Sequence, residues 1–215
     1  MRDPENIRDV EKLSVDMMGF NFCKDDLRHV GMIASLAAII PDYADRRLMA
    51  EDWSPRRVGV FADDMPQNIV TAVYNYELDC VQLQGGESPV MIDNLRRTLD
   101  PDICQGVTII KALTVANADD VKSSAGYSGH ADMLLFNMMK SDSKGEVACS
   151  DFAVLDGYNG DLPFLVGGVA MEDLDGIKAI SNPYFAGVDL NVEFESEPGI
   201  KDTSKLEKFI LALRK

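Results

Sequence analysis

The 215-residue sequence is poor in the residues that build metal and redox centres. It has two histidines, His29 and His130, and four cysteines, Cys23, Cys80, Cys104 and Cys149, with no CxxC pair among them. Dispersed thiols and two imidazoles offer no zinc-ligand spacing. No metal and no cofactor are therefore expected, and the cysteines read as reduced thiols. Long apolar runs are also missing: nothing approaches the ~20 residues that cross a bilayer. The opening Met1-Arg-Asp-Pro-Glu5 has no apolar signal core, so a cytoplasmic protein without a membrane partner is expected. Positive charge is the third shortage. Lys and Arg number 21 against 36 Asp and Glu, a net charge of −15, which disfavours nucleic acid and anionic lipid surfaces. A small anionic substrate stays compatible, because it needs only a local positive field.

What is present is a regular alternation of strand and helix signals, with length enough for one barrel-sized domain spanning 1–215. Asp3 is an N-cap candidate, Pro4 suits the first helical position, and Ile7, Val10 and Leu13 supply an apolar face. A strand is expected over 15–22, a helix over 31–40, and then a charged insertion at 41–55 that holds Trp53 and has the length of a lid. Strands follow at 58–61, 80–83, 107–113 and 133–136. Between them lie a helix carrying Ile69, Val73 and Tyr76, a helix opened by Ser88-Pro89, and a short helix at 118–124. After a short helix near Asp151 come strands at 163–166 and 185–190, separated by a helix over 171–180. The last helix shows a capping box from Ser204 to Glu207 and apolar spacing at Leu206, Phe209, Ile210 and Leu213.

Strand starts recur about every 20–30 residues, the period of a parallel sheet with helices outside. The count is seven strands and eight helices, and the chain opens on a helix. Gly167-Gly168 follows the sixth strand, where backbone N–H groups could approach an anion with no Cβ in the way. Loops after the last two strands of a (β/α)8 barrel often form a phosphate site; an ordinary turn is the other reading. Arg28 is open to two readings, a ligand-binding guanidinium or a solvated surface residue. Asp45-Arg-Arg47 and Arg56-Arg57 read as solvated loop charges.

A set of short tags runs nearly end to end: Met18-Gly-Phe-Asn-Phe22, Arg57-Val-Gly-Val-Phe61, Val81-Gln-Leu-Gln-Gly85, Glu87-Ser88-Pro89, Ile110-Lys-Ala112, Phe164-Leu-Val-Gly-Gly168, Gly187-Val-Asp-Leu-Asn191 and Glu197-Pro-Gly-Ile-Lys-Asp202. In order and spacing they resemble the phosphoribosylanthranilate isomerase family of tryptophan biosynthesis. The resemblance implies a TIM (β/α)8 barrel, here lacking its first β-strand. The family's first strand ends in a Cys-Gly pair, followed by a stretch that Met1–Ile7 resembles. The expectation is that these residues begin just after that pair, and in-frame coding DNA upstream of Met1 would show whether a longer protein carries it.

The reaction so implied is an Amadori rearrangement, with that cysteine as base and an aspartate at the end of strand six as acid. Asn137 stands at the acid's position. Substrate binding is carried over onto Arg28, for the anthranilate carboxylate, and onto Gln82, Gly167, Gly168, Asp189 and Asn191. Departures accumulate around these positions: Gln84 replaces a histidine, Lys144-Gly-Glu-Val147 shortens a glycine-rich loop, and Val192-Glu193 replaces an anion-friendly stretch. Cys23 or Asp142 could substitute for a lost group, although acidic neighbours should raise the Cys23 pKa. The expectation is an isomerase-like barrel for a small phosphorylated or carboxylated substrate, impaired as written. A non-catalytic degenerate paralogue and a barrel retuned to another such ligand are the alternatives. Strand edges left by the absent strand should be covered by a neighbouring segment or by a homodimer contact.

Overall fold

The computed structural model describes residues 1–30, 55–100, 103–139 and 151–215. The expected helix at 31–40, the insertion with Asp45–Arg47 and Trp53, and the loop holding Asp142, Lys144–Val147 and Cys149 lie outside these residues.

Helix α1 (Pro4–Glu11) starts as its sequence dictates: Asp3 Oδ1 accepts the Asn6 amide at 2.8 Å, and Ile7 and Val10 are buried. Seven parallel strands follow in chain order: β1 (Met17–Asn21), β2 (Arg56–Phe61), β3 (Cys80–Leu83), β4 (Thr108–Val115), β5 (Met133–Met138), β6 (Phe164–Gly167) and β7 (Phe185–Val188). Each pairs with the next, and no pairing joins β1 to β7 among the described residues. Helices α2 (Pro66–Tyr76), α3 (Pro89–Leu99), α4 (Ala118–Ser123), α5 (Leu174–Lys178) and α6 (Thr203–Leu213) accompany them, with a 3-10 segment at Phe152–Gly157. Ser88 caps α3 through the Met91 amide at 3.3 Å.

Strand alternation sorts the side chains into two clusters. Val81, Leu83, Ile109, Leu134, Phe136, Phe164 and Val166 pack with helix residues such as Ile69, Ile92, Leu95 and Phe209, which marks the outer face. Val58, Cys80, Ile110, Ala112 and Leu135, with Met17, Met133 and Leu165, form a second cluster without any helix residue: the inner floor of a curled sheet. Two residues further along each strand, the inner face reaches the carboxyl-terminal rim.

Several sequence expectations need correction. The helix over 171–180 is a 3-10 turn, Met171–Asp173, followed by the five-residue α5, with the poor helix former Gly176 at its centre. The cap of α6 is Asp202, whose Oδ1 accepts the Lys205 amide at 3.0 Å; Ser204 already lies inside the helix. Arg56 and Arg57 are not loop charges but residues of β2. Arg57 is buried and donates to Tyr76 O at 2.8 Å, and Arg56 reaches Thr108 Oγ1 at 2.6 Å. Both use their guanidinium groups to satisfy acceptors on neighbouring elements. After β7 the chain forms an unexpected antiparallel hairpin, β8 (Glu195–Glu197) and β9 (Ile200–Lys201), whose turn has Gly199 at φ 82°, a conformation open to glycine after Pro198.

The first residues lie against the open β1 edge. Met1 is buried, and its amino group donates to Gly19 O at 2.6 Å. Asn6 pairs with the backbone of Lys201 through Nδ2 to O and Oδ1 to N, both 2.8 Å, so α1 is fastened to β9.

A buried ion pair organises the rim. Lys111 sits on the outer face of β4 at 1% side-chain exposure, against 2% for Glu87. Its three ammonium donors meet Leu83 O at 3.2 Å, Gly85 O at 2.6 Å and Glu87 Oε2 at 2.8 Å. Glu87 Oε1 accepts the amides of Asp63 and Gly85 at 2.9 and 3.2 Å. Removing one partner of a buried, fully hydrogen-bonded pair strands the other charge. Lys111→Met is expected to lose roughly 3–5 kcal/mol of stability, measured by urea unfolding; a loss under about 1 kcal/mol would show that the pair does not bear this role.

Candidate functional site

The rim of the inner face gathers Gln82 from β3, Asn137 from β5 and Gly167 from β6, each two residues beyond a floor residue. Asn137 is the register partner of Thr114 on one side and Gly167 on the other. Its side chain leans over β6, since a Cβ at Gly167 would collide with Asn137 Oδ1. The carboxamides of Asn137 and Gln82 have no hydrogen-bond partner among the described residues. They are available to a ligand, as donors and acceptors but not as acids.

Gly168 turns the chain away from β6 at φ 74°, and a Cβ there would run into the Met138 carbonyl oxygen. Backbone conformation and close approach both require glycine here. The loop after β7 begins at Asp189, whose amide donates to Val166 O at 2.8 Å. Burial pushes the Asp189 carboxyl up, against the opposing pull of Lys201 and the Met1 amino group. Asn191 is exposed, yet its O and Oδ1 accept Lys201 Nζ at 3.0 and 3.2 Å. Val192 and Glu193 are exposed on a 3-10 turn anchored by the buried Phe194, and the Glu193 carbonyl accepts from Lys205 Nζ.

Arg28 is not a solvated residue. Its Nε donates to Glu195 Oε2 and Oε1 at 2.8 and 3.1 Å, and its Nη1 to Asp26 Oδ1 at 3.3 Å. Lys201 Nζ reaches Glu195 Oε1 at 3.3 Å. Burial alone would raise the Glu195 pKa; the Arg28 hydrogen bond and the Lys201 charge outweigh it and hold the carboxyl below its ordinary value. Lys201 is pushed down by burial, with Glu195 and Asp189 opposing. Sequence reasoning missed Glu195, Lys201 and Asn6. The Pro198-Gly199 turn signal, flanked by Glu195 and Lys201, is where the hairpin could have been found.

Cys23 is half-buried, and its thiol is raised first by burial and then by acidic neighbours including Asp26. Gln84 Nε2 lies 3.4 Å from Cys23 Sγ. A thiol with a raised pKa carries little thiolate at neutral pH and makes a poor base.

A family model described as N-(5'phosphoribosyl)anthranilate (PRA) isomerase matches residues 21–212. The sequence is 34% identical over 211 residues to an N-(5'-phosphoribosyl)anthranilate isomerase of Parabacteroides distasonis, covering 98% of this chain and 89% of that one. It is 30% identical to the protein of the same name from Phocaeicola vulgatus, over 100% of this chain and 95% of that one. Among solved structures, phosphoribosyl anthranilate isomerase from Thermotoga maritima superposes with a TM-score of 0.73 at 22% identity, over 100% of this chain and 95% of that one. Another, in complex with reduced 1-(o-carboxyphenylamino)-1-deoxyribulose 5-phosphate, gives 0.71 at 20% identity with the same coverage. These structural likenesses establish a TIM-barrel-type fold.

Two outcomes follow from the geometry. Gly168→Ala places an ordinary side chain in a left-handed conformation beside a carbonyl oxygen and is expected to cost about 1–3 kcal/mol or more in urea unfolding. Wild-type stability in the same range would count against the tight turn. The Glu195 pKa is depressed in the folded state, so its stabilisation is full above the unfolded value of about 4.3 and is lost as pH falls through the folded value. Asp189, raised, works in the opposite sense. The stability difference between wild type and Glu195→Gln should therefore shrink on acidification below about pH 4; a difference that grows there would contradict the Arg28–Glu195 pairing.

Proposed function

Because the chain belongs to the N-(5'-phosphoribosyl)anthranilate isomerase family, we propose that it binds N-(5'-phosphoribosyl)anthranilate at the carboxyl-terminal rim of its sheet. We propose further that, as written, it rearranges that substrate poorly. The observation that carries this reading is Asn137, an amide on the inner face at the rim, leaning over Gly167 with no protein partner among the described residues.

The rearrangement asks for two proton movements. One proton must reach the furanose ring oxygen as its bond to C1 breaks, giving the open-chain iminium. Another must leave C2, so that the iminium becomes an enol-amine, which gives the ketone as C1 takes up a proton and the C2 hydroxyl loses one. A carboxyl group at position 137 could deliver the first proton, and an amide cannot do so near neutral pH. Asn137 can still hydrogen-bond the sugar, so binding and chemistry come apart at this position. Gly167 and Gly168 offer a close backbone approach for the phosphate, Arg28 takes the ring carboxylate, and Gln82, Asp189 and Asn191 border the sugar. Glu193 is exposed rather than buried in this surface, which leaves room for an anion. A binding role without turnover is the second reading, favoured by the same amide beside the retained Arg28, Gly167 and Gly168.

General acid help is typically worth ~10²–10⁴-fold. Asn137→Asp is expected to raise kcat by about 10²-fold or more, followed by the loss of substrate fluorescence. No gain, with ligand binding retained, would favour the binding role. Rescue of an isomerase-deficient tryptophan auxotroph by the unaltered chain at ordinary expression would contradict the impairment.

A further inference from the structure

We propose that Glu195 is a positioning residue that orients Arg28 for the carboxylate of its ligand and couples that arginine to the loop carrying Asn191. The proposal rests on the reading of Arg28 given above and assigns the device that aims it.

The Glu195 side chain is 6% exposed, while that of Arg28 is 22% exposed, so the glutamate is the fixed member and the arginine the one that faces outward. Glu195 takes only the Nε–H of Arg28. Among the described residues the terminal nitrogens are held by one contact, Nη1 to Asp26 at 3.3 Å, the longest that Arg28 makes. A guanidinium engaged at Nε keeps its terminal fork for a second carboxylate, and the first contact fixes the plane in which that fork lies. Such fixing matters because carboxylate recognition by arginine is directional.

Glu195 is itself held from behind. It is the register partner of Lys201 across β8 and β9, and Lys201 Nζ bonds it at 3.3 Å. The same ammonium group holds Asn191 by its carbonyl and side chain at 3.0 and 3.2 Å. Asn6 fixes the Lys201 backbone through both its N–H and its C=O. Arg28 and the Asn191 loop are thereby joined through two side chains of one short hairpin. A ligand that engages both ends of this relay meets a preset spacing rather than two independent groups.

The test uses the full chain and two probes: reduced 1-(o-carboxyphenylamino)-1-deoxyribulose 5-phosphate and its phenylamino counterpart lacking the ring carboxylate. Calorimetric Kd values give a carboxylate preference for each variant. Wild type should prefer the first probe, and Glu195→Gln should lose roughly tenfold of that preference, with the counterpart's Kd little changed. Equal weakening of both probes would reduce Glu195 to general structural support and overturn the proposal. Tighter binding of the carboxylate probe by Glu195→Gln would make Glu195 a competitor for Arg28 and also overturn it.

Arg28→Ala separates the two layers of the argument. If it leaves the preference intact, the reading of Arg28 fails, and the proposal with it. If it abolishes the preference while Glu195→Gln does not, only the positioning role fails. Absence of binding by either probe to wild type would overturn both. Should Glu195→Gln fold poorly, the Arg28 side-chain ¹⁵N resonances of wild type decide: on adding the carboxylate probe, Nη should shift while Nε stays in place. An Nε shift larger than that of Nη would mean that Glu195 is displaced, and would refute the proposal.

Discussion

A single buried ammonium group sets the shape of the rim. Lys111 stands in a strand at a position where the outer face would otherwise carry an aliphatic side chain, and the loop after β3 brings two carbonyls and Glu87 to its buried ammonium group. That need dictates the loop's path. Glu87 then reaches across to the Asp63 amide, and Asp63 Oδ1 in turn accepts the Gly86 amide at 2.7 Å. Tyr127, beyond α4, donates to the Glu87 carbonyl at 3.2 Å. Connections after β2, β3 and α4 thus share one charge pair. Well-packed apolar residues could often stabilise such a position as well. What they would not supply is a fixed location for three loops on which the residues of the mouth depend.

A second charge system lies across the rim, near β1 and the hairpin, and its character differs. Arg28 is its outward cation at 22% side-chain exposure, against 10% for Lys201 and 6% for Glu195, and the two cations meet the carboxylates of Glu195 and Asp26. Between the two systems the rim of the inner face presents the neutral amides of Gln82 and Asn137. Charge at the periphery and carboxamides at the centre suit a surface that grips the ends of an anionic molecule. Within the described residues, the central positions offer orientation without a proton to give.

Local pattern revealed most of the scaffold. Short apolar runs bounded by turn signals placed the seven strands to within a few residues, and the Asp3 and Ser88 caps were legible because their partners lie three residues away. Asn137 was legible because its place follows directly from the end of a buried strand. Failures occurred where several local signals compete: Asp202 and Ser204 both look like caps, and the competition is decided by where the preceding hairpin releases the chain. Arg56 and Arg57 misled because a pair of arginines reads as solvated until Tyr76 and Thr108, both distant in sequence, present acceptors. Lys111 with Glu87 and Arg28 with Glu195 are invisible for the same reason. Each residue stood within or near a recognisable tag, but the pairing exists only across 24 and 167 residues.

The tie between Asn6 and Lys201 spans 195 residues, and another from Arg214 Nη2 to Ser14 O spans 200. Synthesis delivers the first helix long before either partner exists. Throughout that interval α1 lacks both of these ties. The first tie cannot form before β9 has been synthesised, nor the second before the last helix has. Contacts of such long range also slow folding.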